Sequence, residues 1–474
     1  MRTMNHPKII QGGMGVGISN WRLAKAVSEQ GHLGVVSGVF LNLIMARLLQ
    51  LGDQGGHISR ACKYFPFPEI VRRIYNRYYI KGGKISNKPF KHVPMFTLNP
   101  EQELLELTVL ANFVEIFLAK EGHDGIIGVN YLEKIQMPNL ASIYGAMLAG
   151  VDYVLMGAGI PREIPKVLDD FSKQQEASLC INVEGAKNKN DFQMHFDPEK
   201  IIGKINYPLK RPQFLAIIAS NTLALSLTQK SSGKIDGFII EGSTAGGHNA
   251  PPRGQFQLSE NGEPIYGERD RVDLEKIKTL GLPFWLAGSY ASRLQEALNQ
   301  GATGIQVGTP FAFCKESGLS PELKRQALRL IKAGEAWVFT DPKASPTGFP
   351  FKVLLLDGTI SSETIYEQRE RTCDLGFLQT PVRHEDRNIS YRCHSEPVSS
   401  CCRKLGIPED TTRKKCLCNG LMANIGLPQV RGNGYVELPL VTAGADLSFV
   451  AKLLTNLGDS DEYTSYDVIS HIQS

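Results

Sequence analysis

"ALNQGATGIQVG", residues 297–308, shows an arrangement that repeats along this 474-residue chain. An amphipathic segment ends at Gly301, a short apolar run follows, and Gly308 ends that run. The same order recurs in "AVSEQGHLGVVSG" (26–38) and "AMLAGVDYVLMG" (146–157). A glycine just past a helix suits its left-handed cap, and a strand apolar on both faces is typical of a parallel sheet covered by helices. The three stretches therefore predict repeated helix–strand units.

Five further apolar runs complete a set of eight predicted strands. The eight are residues 9–11, 33–37, 125–131, 153–156, 214–220, 237–240, 284–287 and 304–307. Amphipathic segments between them predict helices, such as 21–30 with Ser19 as its N-cap, and 293–300. Eight strand–helix units predict an α/β fold, a (β/α)8 TIM barrel over residues 1–340 with insertions at about 41–123 and 161–212. A doubly wound open sheet is the alternative, and counting strands leaves it open.

Residues 341–474 differ in character from the first 340, because the helix–strand repeat ends there. We expect an extension packed on the barrel, since no flexible linker separates the two parts. Six of the nine cysteines lie in this extension. Their spacing matches no zinc-finger or ferredoxin pattern, so the prediction is free thiols and no metal, with a zinc or iron–sulfur site as the alternative.

Composition narrows the classes of function. The chain has 52 basic and 48 acidic residues and a formal net charge of +4, so it lacks the excess of positive charge that is typical of nucleic-acid-binding proteins. The sequence contains no apolar run long enough for a membrane span, and no signal core precedes the first strand, so we expect a cytoplasmic protein that does not insert into membranes. Nothing in the composition indicates an oligomeric state.

Glycines cluster where predicted strands end, which is the active-site face of such a barrel. "QGGMGVG" (11–17) follows the first strand and would let the backbone lie against a flat ligand, with a tight turn as the alternative. "LAGS" (286–289) and "VGTPF" (307–311) follow the seventh and eighth strands. Those two loops commonly bind phosphate in (β/α)8 barrels, and Ser289 and Thr309 add hydroxyl groups, although both can be ordinary turn residues.

A histidine follows the sixth predicted strand. His248 ends "EGSTAGGH" (241–248), directly after two glycines. Histidine exchanges a proton near neutral pH without a large pKa shift, so its place at this face predicts a catalytic group. A histidine that only makes structural hydrogen bonds is the alternative.

Four motifs together resemble a known family. "IIQGGMGVGIS" (9–19), "DGFIIEGSTAGGH" (236–248), "LPFWLAGSYAS" (282–292) and "GATGIQVGTPF" (301–311) are similar to motifs of the FMN-dependent nitronate monooxygenases, formerly 2-nitropropane dioxygenases. The flavin-dependent enoyl-acyl-carrier-protein reductases are related in fold and motif. The resemblance spans residues 9–335, and the order and spacing of the four motifs carry it.

The resemblance implies FMN as the cofactor and assigns roles by position. His248 corresponds to the catalytic histidine of the family. The residues that would contact FMN are Gly13, Met14, Asn130, Gly247, Gly288, Ser289, Gly308 and Thr309, of which the last four would hold the phosphate. Arg253, in "NAPPRG" after the histidine, would reach an anionic substrate. The chain departs from the family pattern at Glu241 and Thr244, usually Gln and Glu, and in the phosphate loop, where Ser289 and Tyr290 replace Gly and Ile.

Three functions remain open at this stage. The first is oxidative denitrification of alkyl nitronates by FMN and O2 to a carbonyl compound and nitrite. The second is an FMN-dependent reductase that uses NAD(P)H to reduce an enoyl thioester. The third is a catalytically silent flavin- or phosphate-binding barrel. In both enzyme hypotheses the substrate is a small molecule. The departures from the family pattern make its identity less certain to transfer from the family, while they hardly affect the expectation of a flavin.

Overall fold

A computed structural model of the protein describes residues 6–188, 190–458 and 460–474. The strands are β1 (Ile9–Gln11), β2 (Gly34–Ser37), β3 (Ile127–Leu132), β4 (Tyr153–Gly157), β5 (Ala177–Cys180), β6 (Gln193–Phe196), β7 (Gln213–Ile218), β8 (Gly237–Glu241), β9 (Phe284–Ala287), β10 (Gly304–Val307), β11 (Val338–Asp341), β12 (Phe351–Leu354), β13 (Thr380–Arg383) and β14 (Ile389–Arg392). The α-helices are α1 (Trp21–Ser28), α2 (Leu41–Gln50), α3 (His57–Cys62), α4 (Pro68–Tyr78), α5 (Gln102–Lys120), α6 (Asn139–Leu148), α7 (Ile164–Ser172), α8 (Pro198–Ile201), α9 (Asn221–Lys230), α10 (Leu274–Lys278), α11 (Leu294–Asn299), α12 (Thr309–Ala312), α13 (Pro321–Ala333), α14 (Glu363–Gln368), α15 (Val398–Arg403), α16 (Leu417–Asn424), α17 (Ser448–Asn456) and α18 (Ser465–Gln473).

Eight of the strands form one parallel sheet that closes on itself. Their order is β1-β10-β9-β8-β7-β4-β3-β2. The two outer strands meet just before β2, where Ile10 forms a parallel bridge with Leu33 and the Gln11 N–H donates to the Leu33 carbonyl at 2.9 Å. This closure confirms the (β/α)8 barrel and excludes the open doubly wound sheet. All eight predicted strands lie within two residues of the observed ones at each end.

The inside of the barrel is a packed apolar core. Side chains alternate along β4, so that Tyr153 and Leu155 join the inner cluster while Val154 and Met156 face the surrounding helices. Trp285 of β9 is fully buried in the inner cluster, and its indole N–H donates to the Pro7 carbonyl at 2.7 Å. The lower part of the barrel is therefore closed by side chains, which leaves the carboxyl ends of the strands for a site.

The first predicted helix begins at Trp21 as expected but has a different N-cap and a different end. α1 covers Trp21–Ser28, and its N-cap is Asn20, whose side chain accepts the Leu23 N–H. Ser19 is not the N-cap, because its hydroxyl donates to the Gly12 carbonyl and accepts the Met14 N–H, both at 2.9 Å. Ser19 thus braces the glycine-rich loop after β1. The second predicted helix, α11, is likewise shorter than 293–300, and Arg293 is its N-cap.

The two long insertions supply helices and a hairpin around the barrel. Residues 41–123 contain α2 to α5, and the buried helix α5 packs against α6 and α2. Residues 161–212 contain α7, α8 and the antiparallel hairpin β5–β6. These elements cover the β2, β3 and β4 side of the barrel, so they build its outer wall and not its active-site face.

The chain after residue 340 lies across the carboxyl ends of the barrel strands. The Lys352 N–H donates to the Gly247 carbonyl at 2.9 Å, and the Gly444 N–H donates to Thr309 Oγ1 at 2.8 Å. The last two helices return to the barrel, α17 against α13 and α18 against α1 and α12. The extension therefore covers the barrel mouth with its own backbone bonded to the loops there.

Four cysteines of the extension, Cys373, Cys393, Cys416 and Cys418, lie close enough to shift one another's pKa values. All nine cysteines of the chain lie among the described residues and carry free thiols. Among the same residues, no group of three or more His, Cys, Asp or Glu side chains is arranged to hold a metal ion. No helix described here combines the length and apolar character needed to cross a bilayer.

Candidate active site

A cavity of about 510 Å³ lies at the carboxyl ends of the barrel strands, below the extension. It brings together nine of the ten predicted site residues. Those lining it are Gly13, Met14, Asn130, Gly247, His248, Gly288, Ser289, Gly308 and Thr309. They come from strand β3 and from the segments that follow β1, β8, β9 and β10, while the extension adds side chains such as Phe349, Phe351 and Asp446.

The loop after β1 is shaped by glycines that pack against Asn130. A Cβ at Gly13 would lie only 2.4 Å from the Asn130 Cβ, so a side chain there would push the two segments apart. Gly15 and Gly17 have φ of +56° and +62°, a conformation that favours glycine. Asn130 Nδ2 donates to the Gly13 carbonyl at 3.2 Å. The amide of Asn130 is therefore fixed at the cavity wall.

Three amide oxygens at this cavity are buried and lack a hydrogen-bond partner among the described residues. They are Asn130 Oδ1, Asn249 Oδ1 and Gln306 Oε1. Buried polar atoms are nearly always hydrogen-bonded in folded proteins. Unpaired acceptors around one cavity indicate a ligand with several donors, which would satisfy them when it binds.

His248 is tied to the extension. Its Nε2 lies 2.7 Å from Ser345 Oγ, which in turn lies 2.8 Å from Thr347 Oγ1. The Thr347 N–H donates to Ser345 Oγ at 3.2 Å, and we take the Ser345 hydroxyl to donate to His248 Nε2. Burial, and then the positive charge of Lys134, lower the pKa of His248 to about 3. The imidazole is thus neutral at physiological pH and acts as a hydrogen-bonding group.

Two other titratable side chains in the cavity have strongly shifted pKa values. Glu241 ends β8, and burial raises its pKa to about 7. Lys134 follows β3, and burial lowers its pKa to about 7, while Glu133 acts in the opposite direction. Both groups can therefore change charge near neutral pH. Perturbed groups that gather in one cavity are typical of functional sites.

The predicted phosphate loops contain side chains that are already engaged. Ser289 Oγ lies 3.0 Å from Thr244 Oγ1, and Thr309 Oγ1 accepts the Gly444 N–H at 2.8 Å. Ser289 has φ of +58°, a left-handed conformation that glycine adopts without cost. Asp446 also lines this end of the cavity; burial raises its pKa, but hydrogen bonds from Ser448 and Ser289 outweigh burial and hold the pKa below its ordinary value.

Arg253 is not among the residues that line the cavity. Its guanidinium donates from Nη1 to the Arg269 carbonyl at 2.7 Å and from Nη2 to the Ala219 carbonyl. Its backbone N–H donates to Asp270 Oδ1 at 2.8 Å. The side chain fastens the loop after β8 to its neighbours, so its position does not support the role in substrate binding that the sequence predicted, and that role stays a prediction.

Sequence reasoning missed two residues that the structure places in the site. Lys134 follows the third predicted strand by three residues, and a charged residue just past a barrel strand was a usable signal. Ser345 lies in "DPKASPTGFPF" (341–351), nearly a hundred residues after the histidine it contacts. No local pattern connects those two positions.

Comparison with known proteins supports the motif analysis. No protein-family model matches the chain. A stretch of 170 residues is 28% identical to the "Probable nitronate monooxygenase" of Bacillus subtilis (strain 168). The chain is similar to a nitronate monooxygenase. The matched stretch covers 35% of this chain and 44% of that protein, so the chain spans less than half the length of this curated relative.

Solved structures of other barrels are also similar to this one. FabK from Thermotoga maritima aligns over 99% of this chain and 92% of its own, with 17% identity and a TM-score of 0.45. The nitroalkane oxidase from Streptomyces ansochromogenes aligns over 98% and 94%, with 15% identity and a TM-score of 0.44. Since both scores lie below 0.5, the assignment of the fold rests on the strand order and closure of the chain itself.

Proposed function

We propose that the protein is an FMN-dependent oxidoreductase that converts alkyl nitronates to a carbonyl compound and nitrite. The single observation that carries the proposal is the cavity at the barrel mouth, where His248 and the glycine loops meet. Similarity to the curated nitronate monooxygenase supports the choice of reaction. When bound, FMN would accept an electron from the nitronate, and O2 would complete the oxidation.

The unpaired amide oxygens of the cavity fit a flavin. Asn130 Oδ1 and Gln306 Oε1 need hydrogen-bond donors, and a flavin offers the N3–H of its ring and the hydroxyls of its ribityl chain. The glycine loop after β1 provides a wall without side chains at Gly12 and Gly13. These residues would hold the ring, and the loops at Gly288 and Gly308 would hold the phosphate. Asp446 stands at the phosphate end, and its charge would weaken phosphate binding.

The state of His248 decides between two forms of the substrate. A histidine with a pKa of about 3 is a poor base near neutral pH, so it would not take the α-proton of a neutral nitroalkane. A nitronate has already lost that proton. The neutral imidazole, oriented by Ser345, would instead donate a hydrogen bond to a nitro oxygen. The low pKa of His248 therefore favours the nitronate anion over the neutral nitroalkane as the substrate.

One observation favours the second candidate, an FMN- and NAD(P)H-dependent enoyl-thioester reductase. Reduction of a carbon–carbon double bond requires a proton as well as a hydride. Glu241 lines the cavity, and with a pKa raised to about 7 by burial it is partly protonated at neutral pH. Such a carboxyl group could supply that proton. Oxidation of a nitronate anion has no step that calls for it.

Anaerobic visible spectroscopy of the FMN-loaded protein tests the proposal. Adding an alkyl nitronate should bleach the absorbance of the oxidised flavin without NAD(P)H, and admitting air should restore it with release of nitrite. A flavin that ignores the nitronate but is bleached by NADH or NADPH would establish the reductase instead. A protein that takes up no FMN would exclude both enzymes.

A further inference from the structure

A second chamber of about 320 Å³ opens beside the first cavity. One side of it consists of the loops after β3, β4 and β5. The other side consists of extension residues near Thr347 and of residues 375–381. Six residues line both chambers and form the boundary between them: Lys134, Ile135, Ala158, Gly159, Phe349 and Leu378. A molecule that crosses this boundary would touch both spaces at once.

Lys134 stands at that boundary. Among the described residues that line either chamber, it is the one Lys or Arg side chain. Its Nζ is buried, has no hydrogen-bond partner within the described chain, and lies 3.0 Å from the centre of the Phe349 ring. A buried lysine usually has a carboxylate or carbonyl on its ammonium group. An aromatic face is a weaker partner, and an anion could replace it.

The wall of the second chamber suits an apolar chain. Phe96, Met137, Ile181, Leu375 and Phe377 contribute apolar side chains to it. The polar groups beside them already have partners. Gln136 Nε2 donates to Glu133 Oε1 at 2.9 Å, and Gln136 Oε1 accepts the Asn182 N–H at 2.8 Å. The chamber therefore offers apolar contact surface next to a lysine ammonium that has no hydrogen-bond partner among the described residues.

We propose that Lys134 and the second chamber form the specificity site for a substrate with an anionic head and a straight apolar chain. The oxygens of the head bind Lys134 Nζ in place of the Phe349 ring, and the chain lies among Phe96, Met137 and Ile181. The inference rests on the proposed function, since a nitronate is such a head, and it adds the expected chain length. Short nitronates leave the second chamber empty and bind more weakly.

Straight-chain carboxylates test the site without any reaction, because a carboxylate is a planar anion with two oxygens like a nitronate but is not oxidised here. Isothermal titration calorimetry of propanoate, hexanoate and hexan-1-ol into the FMN-loaded protein measures each dissociation constant. Hexanoate should bind at least about tenfold more tightly than propanoate, from burial of its additional methylenes. Hexanoate should also bind more tightly than hexan-1-ol, which lacks the charge.

Two variants separate the head from the chain. Lys134→Met removes the ammonium group but keeps most of the side-chain volume. It should weaken the binding of hexanoate at least about tenfold, so that hexanoate no longer binds more tightly than hexan-1-ol. Leu378→Trp should narrow the opening between the two chambers, so that hexanoate no longer binds more tightly than propanoate. Lys324→Met is the matched control: this lysine is also largely buried but lines neither chamber, and its Nζ donates to the Lys315 and Ser317 carbonyls. It should leave all three affinities unchanged.

The outcomes distinguish this site from the proposed function. Equal binding of propanoate and hexanoate, or unchanged binding in Lys134→Met, would overturn the specificity site even if nitronate bleaches the flavin. A chain-length preference that depends on Lys134 would support the site even if nitronate leaves the flavin oxidised, and the proposed reaction would then fail alone. Repeating the titrations without FMN shows whether the site needs the cofactor.

Discussion

Replacing Ser345 by alanine tests whether the extension sets the state of the predicted catalytic histidine. Ser345 is fully buried, and its hydroxyl is shared by His248 Nε2 at 2.7 Å and Thr347 Oγ1 at 2.8 Å. Ser345→Ala removes the 2.7 Å hydrogen bond to the imidazole. It changes a single oxygen atom and adds no bulk, so the effect should stay local.

The magnitude follows from the burial of the two partners. Leaving a buried acceptor without a donor costs about 1–3 kcal/mol. Thr347 Oγ1 lies 3.5 Å from His248 Nε2 and can approach to replace part of the lost bond. We therefore expect a loss of about 1–2 kcal/mol in the free energy of unfolding. Burial and Lys134 lower the pKa of His248 to about 3. With the Ser345 hydroxyl as the donor to the neutral imidazole, its removal should raise that pKa.

Guanidinium unfolding and NMR of protein labelled with ¹⁵N at histidine measure the two effects. Ser317→Ala is the matched control, since Ser317 is also buried and its hydroxyl donates to the Ala312 carbonyl at 2.7 Å, away from the cavity. The control should lose similar stability and leave the His248 titration unchanged. If Ser345→Ala also leaves that titration unchanged, the assignment of the Ser345 hydroxyl as the donor to His248 Nε2 is refuted.

Three further predictions concern other charged groups of the site. Burial raises the pKa of Glu241 from 4.5 to about 7, so the free energy of unfolding of the wild type should fall as the pH rises between these values. Chemical unfolding of the apoprotein should show that Glu241→Gln raises the free energy of unfolding by up to about 3 kcal/mol at pH 8 and leaves it unchanged at pH 4. Asp446→Asn should lower the dissociation constant of FMN roughly fivefold in a fluorescence titration, because it removes a negative charge near the phosphate. Weaker binding of FMN would contradict the placement of the phosphate. Arg253→Met should leave hexanoate affinity unchanged, since its guanidinium binds the Ala219 and Arg269 carbonyls; a large loss would restore its role as a substrate ligand.

The barrel was predictable because its signals are local. Glycines at the helix and strand ends, with apolar runs between them, located all eight strands within two residues. The site loops followed from the same signals, since the carboxyl ends of parallel strands must meet at one face of a barrel. Nine predicted residues line one cavity for this reason.

What the sequence could not show depends on long-range contacts and on side-chain direction. Ser345 and Phe349 come from the extension, and only the folded chain brings them to His248 and Lys134. Arg253 lies five residues after His248, yet its long side chain turns towards neighbouring carbonyls. Ser19 and Asn20 are both good N-cap residues, and the hydrogen bonds of the glycine loop decided between them.

Titration of FMN into the purified apoprotein, followed by quenching of flavin fluorescence, tests most directly whether the barrel-mouth cavity binds the flavin. Gly308 has φ of −108°, which other residues adopt, and a side chain there would project towards Met14 at the cavity wall. Gly432 has open space around it and lies outside the cavity. The account predicts saturable binding to the wild type and to Gly432→Leu, and at least about tenfold weaker binding to Gly308→Leu. Equal binding to all three proteins, or no binding to the wild type, would contradict it.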